Sequence, residues 1–334
     1  MFLTKKPNGT WYIVYADQNG KRTSLSTKTI FKSEADYQLK NFRKKYYEEL
    51  MQDFTPITLK SFRWNFLKYS ESVHTPKTTK SYRVTFNFLL NHFGDIQLSE
   101  LTSKSIQDFL LSRISHSSIY AARKDHIHLS SMLNKAVLDG FLLKNPCNGI
   151  KRLRLPEKQP KFYTREDIEK LLSVMDNQDI IDITNFALNT GMRSQEICSL
   201  QWHQYDQAKR IITLDNSLYI TKTKKIRSIP LNNTTLELLN RRMGRNKKGF
   251  IFSVNGGPTS SDKLSKIFKK YVYESKINNQ LNFHSLRHTF ASWLIQKGVP
   301  IAHISKLLGH ADIKTTQIYA HLRPEDLRSA IELL

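Results

Sequence analysis

Four fragments of this chain carry side chains that could act together on a phosphodiester. In order they are Thr190-Gly-Met-Arg-Ser-Gln-Glu196, Thr221-Lys-Thr223 running on to Pro230, His284-Ser-Leu-Arg287, and Leu307-Leu-Gly-His310, which Tyr319 follows nine residues later. They contain two arginines (Arg193, Arg287), a lysine (Lys222), two histidines (His284, His310), the carboxylate Glu196 and Tyr319. A tyrosine hydroxyl has an intrinsic pKa of about 10 and is a poor nucleophile at neutral pH. Cationic neighbours favour its phenolate and offset the charge that grows on a pentavalent phosphorus. Arginine suits the task because its rigid fork binds two phosphate oxygens at once. A lysine on a mobile hairpin can protonate the leaving oxygen. Phosphoryl transfer depends mostly on positioning and electrostatics, so this set can work without a metal or other cofactor.

Each residue also has a plainer reading. Tyr319 is one of 14 tyrosines, and Tyr271 or Tyr273 could claim its role by chemistry alone. Lys222 competes with Lys224 and Lys225, which could simply contact backbone phosphate. His284 and His288 stand four residues apart, a spacing open to zinc. The residues between them lack the glutamate of a His-Glu-x-x-His motif and no third ligand is evident, so no metal site is expected. His288 reads instead as a buried, hydrogen-bonded histidine. Arg193 and Glu196, like His284 and Arg287, are three apart and are expected to share a helix face, the carboxylate orienting neighbouring donors.

The elements that must position these residues lie in a mixed region, 163–334. Thr164 caps a first helix and 180–189 forms a second. Ile211–Leu214, Leu218–Thr221 and Arg227–Pro230 read as a short antiparallel sheet. The end is helical, with Pro324 in the first turn of a last helix through Leu334. Before this region, 151–162 holds two prolines and five basic residues and reads as a basic linker. Lys151, Arg152 and Arg154 there suit a nucleic-acid backbone.

Residues 55–150 read as a four-helix bundle. Leu59, Phe62, Phe66 and Tyr69 make one apolar stripe, and Tyr82, Phe86, Leu89 and Phe93 another. Ile106, Phe109 and Leu110 mark a third helix, and a fourth, 117–139, stops at Gly140. Lys77, Thr78 and Lys80 open the second of these helices, where a phosphate could dock. Residues 1–54 read as a hairpin, turning at Asn19-Gly20, followed by a helix capped by Ser33. Lys21, Arg22 and Lys28 give that hairpin a basic face. The fold class is therefore mostly α with small β-sheets, an α+β chain of several domains.

The 334 residues carry 52 Lys and Arg against 29 Asp and Glu, a net charge of +23. The excess is spread: +5 over 1–50, +8 over 51–155 and +10 over 156–334. Basic charge on every domain points to a long polyanion gripped along its length. Cys147 and Cys198 lack metal-ligand spacing and read as reduced thiols. No apolar run is long enough to cross a bilayer, and the start of the chain lacks signal-peptide character. A cytoplasmic, nucleoid-associated protein is expected, with no membrane partner.

From about 160 to 325 the chain resembles the tyrosine recombinases, the family of phage integrases and Xer-type recombinases. Arg193, Glu196, Lys222, His284, Arg287, His310 and Tyr319 match the family's motif positions in order, Lys222 because it stands eight residues before Pro230. Ser285 stands where many members carry an aspartate. Residues 55–150 resemble the family's core-binding domain and 1–54 its arm-site-binding domain, both more weakly. The resemblance implies a site-specific recombinase in which Tyr319 attacks DNA to form a 3′-phosphotyrosyl link. Arg193 and Arg287 would clamp the phosphate, Lys222 would act as general acid, His284 would assist proton transfer and His310 would bind the phosphate. It also implies a homotetramer on double-stranded DNA, binding core and arm sites, with a host or element-encoded bending or excision factor as a further partner. The integrase reading competes with a chromosome-dimer resolvase or relaxing topoisomerase using the same site, and with a regulator that has the fold without the chemistry.

Overall fold

The computed structural model describes residues 1–16, 21–52, 55–156, 159–214, 226–243, 249–322 and 331–332. The chain divides into two compact units, Met1–Pro156 and Glu157–Leu334.

The first unit opens with strands β1 (Phe2–Lys5), β2 (Trp11–Ala16) and β3 (Arg22–Ser26), which form an antiparallel sheet in chain order. Phe2 pairs with Val14 and Tyr12 with Ser26. The expected Asn19-Gly20 turn lies outside the described residues. Helix α1 (Lys32–Gln52) follows. It begins one residue before Ser33, so Ser33 is not its cap; the Thr29 hydroxyl instead accepts the Phe31 N–H and donates to Glu34. Ile13 and Val14 on the sheet, and Ala35 and Leu39 on the helix, are buried.

Helices α2 (Leu59–Val73), α3 (Pro76–Phe93), α4 (Ser103–His116) and α5 (Ile119–Leu138) follow in the same unit. Thr58, Thr75, Thr102 and Ser118 cap them, each hydroxyl accepting an N–H three residues on. The apolar stripes meet in one core around Phe62, Phe66, Phe86, Phe109, Leu129 and Met132. Phe86 is fully buried there, and truncating it to alanine would cost about 3–5 kcal/mol. Tyr69 departs from the expected stripe: it is exposed.

The second unit holds α6 (Arg165–Ser173), α7 (Gln178–Thr190) and α8 (Ser194–Cys198), then strands β4 (Tyr205–Asp206), β5 (Ile211–Leu214) and β6 (Arg227–Pro230). Helices α9 (Asn233–Met243), α10 (Ser261–Glu274), α11 (Phe283–Gln296), α12 (Ile301–Leu308) and α13 (Lys314–Gln317) complete it. The strands form an antiparallel sheet in chain order, with Leu214 opposite Arg227. The expected strand 218–221 lies outside the described residues, as does most of the expected last helix. Thr164 caps α6 as expected. The core joins α7, α10 and α11 to the sheet: Phe186 meets Phe252 at 4.7 Å and Phe268 meets Phe283 at 5.1 Å between ring centroids. Ala291, Ile295, Ile304, Leu308 and Tyr319 make a separate small core.

Candidate active site

Helix α7 ends on Gly191, whose φ of +63° favours glycine. A Cβ at this position would also lie 2.5 Å from Phe290 and 2.9 Å from Leu308. The tight stop brings Arg193 to the start of α8. Arg193 was expected on a helix face with Glu196; it is instead the extended N-cap residue of α8, at φ −74° and ψ 150°. Glu196 reaches back from the first turn. Its Oε2 accepts the Arg193 N–H at 2.8 Å and its Oε1 accepts Arg193 Nη1 at 2.9 Å. Glu196 Oε2 also accepts Arg227 Nη2 at 2.7 Å. The carboxylate is buried, and these charge-assisted donors offset the cost of holding it away from water. Arg193 keeps 40% of its side chain exposed, so it remains open to a ligand.

Arg287 projects from α11 and is buried. Its Nη1 donates to Gly191 O at 2.7 Å and its Nη2 to Leu308 O at 2.6 Å. Both carbonyls stand at helix C-terminal ends, where partial negative charge favours a cation. Burial and the Arg193 charge nevertheless push the Arg287 pKa down to about 9, against the pull of Glu196. A guanidinium has five N–H donors, so these two bonds leave others for an anion.

Helix α12 ends at Leu308, and Gly309 turns the chain at φ +65°. His310 follows, its Nδ1 2.8 Å from Thr316 Oγ1. Burial and the charges of Arg287, Arg193 and Arg227 lower its pKa to about 4, so the ring is neutral at pH 7. Arg193, Glu196, Arg227, Lys306 and His310 line a cleft of about 350 Å³. Arg193 and His310 thus share one cationic cleft. Arg287 is bonded to Leu308 O, the carbonyl that precedes Gly309 of the cleft lining.

His284 and His288 lie one turn apart on α11, their rings edge to face at 4.9 Å. His284 is an exposed residue whose ring is dry enough to lower its pKa, and Arg287 and Arg193 push the same way. His288, not His284, faces the tyrosine: its Nδ1 lies 2.5 Å from Tyr319 Oη. Tyr319 is only 2% exposed, packed among Ala291, Ile295, Ile304 and Leu308. Burial raises its pKa to about 12, opposed by Arg287. The expected activation of the phenol is therefore absent in this state; desolvation outweighs the nearby cation. The two other tyrosines open to the role sit elsewhere, the Tyr271 hydroxyl on Asp176 and Tyr273 at an exposed position. Lys222, Lys224 and Lys225 lie outside the described residues.

Residues 161–326 match the phage integrase family. The XerC-like tyrosine recombinase of Caldanaerobacter subterraneus is 28% identical over 62% of this chain and 63% of its own length, so the chain spans just under two thirds of that relative. The ICEBs1 integrase of Bacillus subtilis is 28% identical over 73% of each chain. The tyrosine recombinase XerA of Pyrococcus horikoshii is 30% identical over 64% of this chain and 74% of its own. The chain belongs to the phage integrase family of tyrosine recombinases. It is an enzyme of site-specific DNA recombination. The fold agrees. A lambda integrase dimer bound to a COC′ core site superposes with a TM-score of 0.68 at 19% identity, over 95% of this recombinase and 93% of that chain. The lambda integrase tetramer bound to a Holliday junction gives 0.66 at 19% identity, over 93% and 95%. The Tn1549 transposon integrase in complex with a circular intermediate DNA gives 0.70 at 20%, over 83% of this recombinase and 100% of that chain.

The remaining basic candidates of the recombinase lie in its first unit. Arg22 is on β3 with its guanidinium 5.0 Å from the Phe2 ring centroid. Lys28 is exposed after β3, and Lys21 precedes that strand. Lys77, Thr78 and Lys80 occupy the first turns of α3, both lysines exposed and Thr78 giving its N–H to Thr75. Lys151, Arg152 and Arg154 are exposed along a segment without regular structure. Sequence reasoning missed one residue of the recombinase's site, Arg227, and one contact, that of His288 with Tyr319. Strand alternation could have found Arg227, since it shares a face with Ile229, which is buried.

Proposed function

We propose that this recombinase is the integrase of a phage or other mobile element, and that Tyr319 is its nucleophile. Tyr319 Oη attacks the scissile phosphorus, forming a 3′-phosphotyrosyl ester and releasing a 5′ hydroxyl. Arg193 and Arg287 clamp the non-bridging oxygens, and His310 donates a hydrogen bond to one of them. Lys222 protonates the leaving oxygen, and His284 assists proton movement from Tyr319 once the tyrosine has left His288. Glu196 holds Arg193 in place. Bond energy stays in the protein–DNA ester, so rejoining needs no separate energy source.

The observation that carries this reading is the shared Leu308 carbonyl. It ties Arg287 to the segment that delivers His310 beside Arg193, and Arg193 and His310, more than a hundred positions apart, line one cleft. In the resting arrangement Tyr319 is buried, so attack requires its segment to move toward the phosphate. A suicide substrate with a nick beside the crossover phosphate tests the reading. The unaltered protein should form an SDS-stable covalent adduct, and its absence would overturn the assignment.

Integrase use is favoured over an Xer-type resolvase by the first 54 residues. The lambda integrase likeness runs over 95% of the chain, which includes most of this sheet-and-helix segment. We assign 1–54 to arm-site binding, 55–150 to core-site binding, 151–162 to a basic linker and 163–334 to catalysis. DNA is the partner throughout, and recombination is carried out by a homotetramer. A bending or excision factor would assist, and the reaction takes place on the nucleoid. Among the described residues no helix is long and apolar enough to cross a membrane.

A further inference from the structure

We infer that Arg227 is a positioning residue for the phosphate cleft, and that Gly309 lacks a side chain to make room for it. The inference rests on the proposed reaction.

Arg227 stands at the start of β6, five positions after Lys222 in the sequence. Its side chain is 14% exposed, and it bridges the two halves of the cleft. Nη2 donates to Glu196 Oε2 at 2.7 Å, and Glu196 in turn fixes both the backbone and the guanidinium of Arg193. Nη1 donates to Leu308 O at 2.7 Å, the same oxygen that accepts Arg287 Nη2 at 2.6 Å. One guanidinium thus links the orienter of Arg193 to the carbonyl that holds Arg287 and precedes His310. Bidentate geometry of this kind fixes direction as well as distance, which a lysine at the same position could not do.

The neighbouring glycine fits this role. A Cβ on Gly309 would collide with Arg227 Nη1, and would lie 2.7 Å from its Cδ and 2.9 Å from its Cζ. The φ of +65° alone would favour glycine. The added collision shows that the arginine packs directly on the turn that presents His310. Two guanidinium groups on one carbonyl oxygen repel each other, and Glu196 is the counter-charge that keeps them together. Without Arg227, the Leu308 carbonyl would keep a single partner, and the strand would lose its tie to the end of α12.

The test uses the full-length protein, a suicide substrate with the native crossover phosphate, and a second substrate with a methylphosphonate there. The methyl group removes the negative charge that Arg193 and Arg287 must meet. For Arg227→Ala we expect single-turnover adduct formation about 100-fold slower on the native phosphate, with DNA affinity changed by less than about threefold. On the methylphosphonate the deficit against the unaltered protein should shrink to less than about fivefold, because charge alignment no longer limits the rate. Gly309→Ala should show the same pattern, and the double variant should lose less than the two deficits combined, since both changes disrupt one contact and only the backbone strain at φ +65° is added. If Arg227→Ala melts too low to assay, Arg227→Lys carries the same test, because a lysine keeps the stem and the charge but cannot hold Glu196 and Leu308 O in one fixed fork. Equal deficits on both substrates would mean a merely structural role and overturn the inference. Full rescue of Arg227→Ala by a 5′-bridging phosphorothioate would also overturn it, by showing that the arginine supports the proton donor instead. No adduct from the unaltered protein would overturn the proposed reaction itself, and this inference with it.

Discussion

The Tyr319 hydroxyl is held 2.5 Å from His288 Nδ1, inside a small apolar core. With the tyrosine pKa raised to about 12 and the histidine pKa lowered to about 4, the proton stays on Tyr319. The contact is therefore a neutral O–H donating to a neutral imidazole. Removing His288 leaves the Tyr319 hydroxyl buried and unpaired, and removing the hydroxyl leaves a half-buried imidazole without its partner, at a cost of about 1–3 kcal/mol. His288→Ala and Tyr319→Phe should each lower the melting temperature of the free protein. The double variant should lose less than the sum of the two, with a coupling of about 1 kcal/mol in a denaturant double-mutant cycle. Strict additivity would show that the contact contributes nothing to the resting state.

Tyr319→Phe should also separate binding from chemistry. The hydroxyl contributes to the small core but lines no part of the cationic cleft, so affinity for site DNA should stay within about threefold of the unaltered protein. Covalent adduct on a suicide substrate should vanish. A residual SDS-stable band from this variant would move the nucleophile elsewhere.

Acid should weaken the second unit through His288 and His310. Both have folded pKa values lowered from 6.5 to about 4. In unfolded chain they take up protons below 6.5, whereas the fold resists protonation until about 4. Between these values the unfolded state binds more protons, so stability falls as pH falls and the loss levels off below the folded value. Above the unfolded value the two rings add no pH dependence. The limiting loss is on the order of 3 kcal/mol for each ring at 1.36 kcal/mol per pKa unit, and less in practice because both are only partly buried. Urea midpoints should be flat near neutrality and decline across the acid window. His310→Asn should flatten the decline, and an unchanged slope in that variant would contradict the assignment.

The bundle was legible because Leu59, Phe62 and Phe66, or Tyr82, Phe86 and Leu89, repeat at helical spacing and each stripe faces one core. Strand 211–214 was legible from its β-branched residues Ile211, Ile212 and Thr213. Other features depend on contacts that local periodicity cannot encode. Helix α8 has five residues, too few to show a period, so Arg193 was placed on a helix face when it is the cap. Strand β4 has two residues and exists through its pairing with Ile211 and Ile212. Burial of Tyr319 arises from Ala291, Ile295, Ile304 and Leu308 on two earlier helices. Its chemical type was readable, but its desolvation, and hence its raised pKa, was not. The link from Glu196 through Arg227 to Leu308 likewise joins three separate segments that only the fold brings together.

Truncation should separate the arm function from catalysis. The sheet β1–β3 with α1 forms one element group, and α2–α5 have their own apolar core around Phe62 and Phe86. A chain beginning at Thr55 keeps that bundle and the whole catalytic unit, so it should still form adduct on a core-site suicide substrate. It should fail to integrate, because one chain could no longer bridge arm and core DNA. Loss of the second contact costs effective concentration, not chemistry. Its footprint should lose protected segments distant from the crossover. The isolated 1–54 fragment should bind DNA with an affinity that falls steeply with salt, as contacts from basic residues such as Arg22 and Lys28 to phosphate require. Integration at full efficiency with an unchanged footprint would remove the arm-site assignment and favour an Xer-type role, in which core-site binding alone supports recombination.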